Sequence, residues 1–183
     1  MKFSELIEQA KREITSNKKT AEKLSQLNQQ QFSWQPAKGK WSIVQILEHL
    51  NLVSRNYLNK IRYDKVKKSM EDGEYKPSFL GKLLTKNFAQ IPIKRNFKTT
   101  KAYTAENNLN GAIVLQEFFN NQDKMMALFD NSIGVDLNKN KIPSPAASFI
   151  KFKFGDVFSM DGKHTARHLY QIEKVMETVG FPQ

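Results

Sequence analysis

The chain of 183 residues contains no cysteine. Disulfides, thiolate metal sites and a protein thiol nucleophile are thereby excluded; the compartment is constrained only weakly, because secreted chains can also lack the residue. No uninterrupted stretch of about 18 apolar residues occurs, so nothing reads as a membrane span. The opening MKFSELIEQAKREI places Glu5 and Glu8 where a secretory signal needs an unbroken apolar core. A soluble cytoplasmic protein is the expectation. Glycine-rich phosphate loops, recognised nucleic-acid modules, internal repeats and low-complexity tracts are also missing. Histidine is rare, with only His49, His164 and His168 in the whole chain.

What is present suits one globular domain over residues 1–183. Hydrophobic residues make up 39% of the chain and phenylalanine alone fills 13 positions, which argues against disorder. The formal charge of +11 is uneven. Between Lys60 and Lys101 twelve basic residues face four acidic ones, a net +8. Such a segment can be an electrostatic footprint for an anionic small molecule or for nucleic acid; the plainer alternative is a solvated surface on a long connection. With no nucleic-acid module beside it, a nucleic-acid partner is disfavoured.

Apolar spacing outlines four main helices. Over residues 2–28, Phe3, Leu6, Ile7, Ala10, Ile14, Ala21, Leu24 and Leu27 recur mostly at steps of three and four. A loop with Trp34, Pro36, Gly39 and Trp41 follows, the two tryptophans reading first as packing that fixes the loop into the next helix and, as the alternative, as a substrate stack. Ser42 and Gln45 form a capping box for a helix over about 42–68, in which Ile46, His49, Leu50 and Val53 share an inward stripe. Glu48, about 100° away from His49, points to solvent. Residues 69–108 break the rhythm, with a short helix plausible around 77–88; a connection of that length packs on the body or is functional. Helical periodicity returns over about 104–129, where Phe118–Phe119 and Met125–Met126 each read as a core residue plus a partly exposed neighbour. Residues 131–145 read as a connection, and a last helix runs over about 156–179, stopping at Gly180. With no convincing strands, the fold class is all-α: an antiparallel four-helix bundle with a long basic insert between the second and third main helices.

His164 and His168 stand four residues apart, about 40° apart on one helical face. His164, His168, Ile172 and Val175 continue one apolar stripe. Two imidazoles so placed can chelate a divalent metal with a third ligand from another helix; the alternative is that each ring bonds a carbonyl or water. The zinc-protease pattern HExxH is absent, since position 165 is Thr. Asp161, one turn before His164, either reaches the site or favours the early helix by its charge. Gln171, one turn after His168, either bonds a ligand residue or sits at an interface.

WSIVQILEHL after a Trp/Pro/Gly loop, with FGD and then KHTARHLYQIEKV near the C-terminus, resembles the DinB/YfiT-like superfamily. The resemblance implies an up-down-down-up bundle and a frequent tendency to dimerise. It also implies a divalent metal held by His49, His164 and His168, with Gln171 on a matching position. Some members transfer low-molecular-weight thiols such as bacillithiol, mycothiol or glutathione to electrophiles, and others look like hydrolases. Three neutral imidazoles leave coordination positions open, and a metal there can lower the pKa of bound water or of a bound thiol. Nitrogen-only ligation suits Zn or Ni first, with Fe, Co and Mn as alternatives. The expected function is a metal-dependent thiol S-transferase or hydrolase on a small-molecule substrate. The alternative is a non-catalytic metal- or ligand-binding bundle acting as sensor or store.

Overall fold

Four long helices carry the structure, a computed structural model that describes residues 1–61, 65–94, 99–145 and 147–183. They are α1 (Phe3–Ala21), α3 (Ile43–Lys60), α5 (Gly111–Asp130) and α6 (Phe154–Met176), with short helices α2 (Gln29–Ser33) and α4 (Phe79–Phe88) between them. In their principal contacts α1 and α3 each pack on both α5 and α6. α1 thus lies diagonally opposite α3, and α5 opposite α6. Arg62, Asp64, Arg95 and Lys98 of the basic segment lie outside the described residues.

The sequence periodicity places the core as expected. Leu6, Ile14, Ile46, Leu47, Phe118, Met125, Phe129 and Phe158 are fully buried, while Phe119 and Met126 pack half-buried beside their neighbours. The apolar residues form two clusters. One joins Phe3, Ile7, Tyr57, Phe129 and Phe158; the other joins Leu24, Phe32, Ile46, Phe118 and Ile172. Buried amides pin the helix registers. Asn121 donates to Asn51 Oδ1 at 3.1 Å, and Asn51 donates to the Val114 carbonyl at 3.0 Å, tying α3 to α5. Asn17 of α1 donates to the Gly162 carbonyl of α6 at 2.9 Å. The two helices meet so closely there that a Cβ on Gly162 would lie 2.5 Å from Glu13 Cβ.

Local signals explain the helix ends. Ser42 and Gln45 form the expected capping box, Gln45 Oε1 accepting from the Ser42 N–H at 3.0 Å. α3 stops at Lys60, eight residues short of the sequence expectation, because the chain turns extended at Ile61 (φ −82°, ψ 111°). The last helix begins at Phe154 and ends at Met176, before Gly180. The connection after α5 holds a small antiparallel hairpin, β1 (Lys141–Pro143) on β2 (Lys151–Lys153), that the sequence reading did not expect. Its strands have three residues each, too short to reveal alternation, yet Ile142 and Phe152 point inward and are buried.

The insert folds onto the bundle. α4 packs along α6. Asp156, fully buried in the FGD sequence, accepts hydrogen bonds from the Tyr75 hydroxyl at 2.7 Å and the Ser78 N–H at 2.9 Å. Gly155 makes the approach possible, since a Cβ there would sit 2.4 Å from the Tyr75 ring. Among the described residues, no helix is long and apolar enough to cross a membrane.

Candidate metal centre

α3 contributes His49 and α6 contributes His164 and His168, all three opening on one cavity of about 660 Å³. One ligand-capable nitrogen from each lies within 4.8 Å of the others. The ring centroids are 5.4 Å apart for His49–His164, 4.8 Å for His49–His168 and 4.6 Å for His164–His168. The stripe spacing read from the sequence accounts for this convergence.

Hydrogen bonds fix two of the rings. The Tyr103 carbonyl lies 2.9 Å from His49 Nδ1, and Gln171 Oε1 lies 3.0 Å from His168 Nδ1. Both partners are acceptors, so each Nδ1 carries the proton and each Nε2 keeps its lone pair. His168 Nε2 stands 3.1 Å from His164 Nε2. Two nitrogens bonded at about 2.0–2.1 Å to one ion would be separated by roughly 3.0–3.4 Å, so this spacing fits a shared cation.

The rings are also held neutral. Burial pushes the His49 pKa down, against the opposing effect of the Tyr103 carbonyl. Burial, then the neighbouring His168, His49 and Arg167, push His164 well below the ordinary imidazole range. His168 is lowered to about 3 by burial and by His49. Three neutral imidazoles whose ligand-capable nitrogens lie within 4.8 Å of one another are the donor set a divalent ion needs, so the residues present fit such an ion.

The cavity wall sorts the remaining expectations. Asp161 lines the cavity, is buried, and has no hydrogen-bond partner at Oδ2. Burial and the nearby Glu13 carboxylate raise its pKa to about 7. Gln171 also lines the cavity, behind His168. Glu48 is not the solvent-facing residue expected: it pairs with Arg55 at 2.6 Å, which also binds Glu117 of α5. Trp34 packs edge-on against Phe181, as the packing expectation has it, whereas Trp41 lies 5.3 Å from the His49 ring and lines the cavity.

The insert supplies what the sequence could not assign. Leu84 and Phe88 of α4, with Ile93, Thr99, Thr100 and Tyr103, form one side of the cavity. Phe88 places its ring 4.8 Å from His164. The Asn56 side chain of α3 donates to the Tyr103 hydroxyl, which anchors the segment whose carbonyl holds His49. No motif marks Tyr103, because its contact with His49 is made by a backbone oxygen. Arg167, buried in the cavity wall one residue before the second ligand-capable histidine of α6, was also passed over.

A family profile for the DinB superfamily matches residues 15–172. The chain belongs to the DinB superfamily. The match runs from the last part of α1 into α6 and includes all three histidines of this DinB-superfamily protein. In structure it is similar to YfiT from Bacillus subtilis, described as a probable metal-dependent hydrolase with an unusual four-helix bundle topology. The similarity has a TM-score of 0.52 and covers 98% of this chain and 89% of that one, at 14% identity. At that identity the likeness carries the fold alone. No curated protein matches the chain in sequence.

Proposed function

We propose that this DinB-superfamily protein is a divalent-metal-dependent enzyme acting on a small molecule, with His49, His164 and His168 as the metal ligands. The nucleophile is water or a low-molecular-weight thiol; with no cysteine in the chain, any thiolate has to come from a cosubstrate. The observation that carries this reading is the convergence of three neutral imidazoles on the wall of a cavity large enough for a substrate. A store for the metal alone needs the imidazoles but not the space beside them.

A bound divalent ion supplies Lewis acidity, with zinc or nickel the first choices for an all-imidazole set. The chain's own groups do the rest. The Tyr103 carbonyl and Gln171 Oε1 hold His49 and His168 in the tautomer that presents Nε2. Leu84 and Phe88 give the substrate an apolar wall and limit water. Asp161, whose pKa in the metal-free protein is raised to about 7 by burial and Glu13, lines the cavity with an unpartnered Oδ2 from which a proton can be taken up or released.

The test is metal analysis of purified, reconstituted protein followed by two assays on the loaded sample. Conjugation of a thiol to monochlorobimane identifies transfer, and hydrolysis of 4-nitrophenyl esters identifies a hydrolase. A protein that binds its ion tightly but turns over neither class would be a metal-binding module, and the enzymatic reading would fall.

A further inference from the structure

The two faces of α4 meet different surroundings. On the inner face Leu84 and Phe88 line the cavity, and Thr85 Oγ1 donates to Ser159 Oγ of α6 at 3.4 Å. Gly81 abuts Asp156 so closely that a Cβ there would lie 2.3 Å from the carboxyl carbon. On the outer face Phe79, Leu80 and Leu83 are 83%, 40% and 45% exposed. Phe79 and Leu83, four residues apart, make one row along the helix. Lys82 and Lys86, each three residues further on, make the row beside it. Single exposed apolar residues are ordinary, but three adjoining ones on a helix already packed by its other face mark a contact surface.

The charge around this face selects the partner. From residue 75 to residue 105 the chain has seven basic residues and no acidic one. Lys76, Lys82, Lys86 and Lys94 are exposed, and none of the ion pairs among the described residues uses them. Lys153 of β2 brings a further ammonium to the start of the helix, donating to the Lys76 carbonyl at 2.7 Å. Large apolar side chains on the outside of a helix, flanked by unpaired ammonium groups, match the layers of an anionic bilayer surface. Lysine stems reach from the acyl boundary to the phosphates. A second copy of this chain matches less well, because a twofold contact through α4 sets the ammonium row of one copy against that of the other. Nucleic acid would use the lysines and leave the apolar row in water.

We propose that α4 is a peripheral docking element for an anionic lipid surface, with Phe79, Leu80 and Leu83 at the acyl boundary and Lys82 and Lys86 on the lipid phosphates. The contact lies on the bilayer, since no helix among the described residues is long and apolar enough to cross it. Docking sets the cavity one helix away from the lipid, because the inner face of α4 is the cavity wall. The proposal does not depend on metal binding or on turnover.

The test is cosedimentation of the full-length protein with vesicles of phosphatidylcholine alone or with about 30% phosphatidylglycerol. Wild type should bind the anionic vesicles at least about tenfold more tightly than the neutral ones, and binding should fall as salt rises from about 0.1 M to about 0.5 M. The double variants Phe79→Ser/Leu83→Ser and Lys82→Gln/Lys86→Gln should each weaken binding roughly tenfold or more. Ile113→Ser, at a 66% exposed position on α5, should change nothing. All these positions are exposed, and circular dichroism checks that each variant folds.

Wild type that stays in solution with anionic vesicles at low salt overturns the proposal, and this arm needs no variant; binding of a DNA duplex under the same conditions would then assign the lysines to nucleic acid. Vesicle binding that survives Phe79→Ser/Leu83→Ser overturns it as well, since charge alone then holds the protein. A wild-type dimer that Phe79→Ser/Leu83→Ser converts to monomer in sedimentation places a second copy on this face and also overturns it.

Discussion

Asp161→Asn should stabilise the metal-free protein above neutral pH and should change how its stability varies with pH. The Asp161 carboxyl is 3% exposed, has an unpartnered oxygen and lies near the Glu13 carboxylate. Its pKa rises from 3.8 to about 7 in the folded protein. Between those values the folded chain holds a proton that the unfolded chain has released, so Asp161 costs stability as pH rises through the window. A shift of this size corresponds to about 4 kcal/mol at pH 8, an upper figure because water penetration and local relaxation reduce it. The neutral, similarly shaped Asn removes the ionisation. The histidines act in the opposite sense. Their lowered pKa values mean that the unfolded state binds protons first, so stability is lost as pH falls through about 6.5. For His168 the loss continues to about pH 3. Wild type and variant share those terms, so their difference isolates Asp161. Urea unfolding at pH 4, 6 and 8 measures it. Asp161→Asn should gain about 2–4 kcal/mol at pH 8 and close to nothing at pH 4. A difference that does not change with pH, or a variant less stable than wild type at pH 8, would refute the reasoning.

Other changes address the imidazoles and the core. Gln171→Ala removes the acceptor that holds His168 Nδ1–H and should weaken metal affinity about 10–100-fold, measured by competition with a chelating dye. Gln171→Glu restores an acceptor and should recover most of that loss in the same assay. Phe158→Ala empties a fully buried site that faces Phe129 at 4.3 Å and should cost about 3–5 kcal/mol, seen by calorimetry as a fall in Tm on the order of 10 °C.

The parts of the molecule legible in the sequence are those governed by local periodicity. The stripe Ile46, His49, Leu50 and Val53 and the stripe His164, His168, Ile172 and Val175 describe helix faces, and both faces turn inward. The family pattern on those same residues carried the reading from a helical pair to a three-histidine group. Gln171 was accessible by the same route, lying one turn beyond His168. The insert was not. Its placement rests on Asp156 accepting from Tyr75 and Ser78, contacts between residues about eighty positions apart that leave no local pattern. Tyr103 reaches His49 through a carbonyl that any residue would supply. The hairpin at Lys141–Pro143 is too short for alternation to register. Arg167 sits between residues 164 and 168 in plain view, but a helical arginine is ordinarily a surface residue. In the fold it is buried on α6, where it donates to the Asn87 carbonyl of α4.

The account rests on three imidazoles holding one divalent ion. Mass-spectrometric metal analysis after reconstitution and desalting, on wild type and on the His49→Ala, His164→Ala and His168→Ala variants, tests this most directly. The account predicts one ion per chain in wild type and loss of retained metal in each variant, with helical content preserved. A wild type that retains no ion, or three variants that retain it as wild type does, would contradict it.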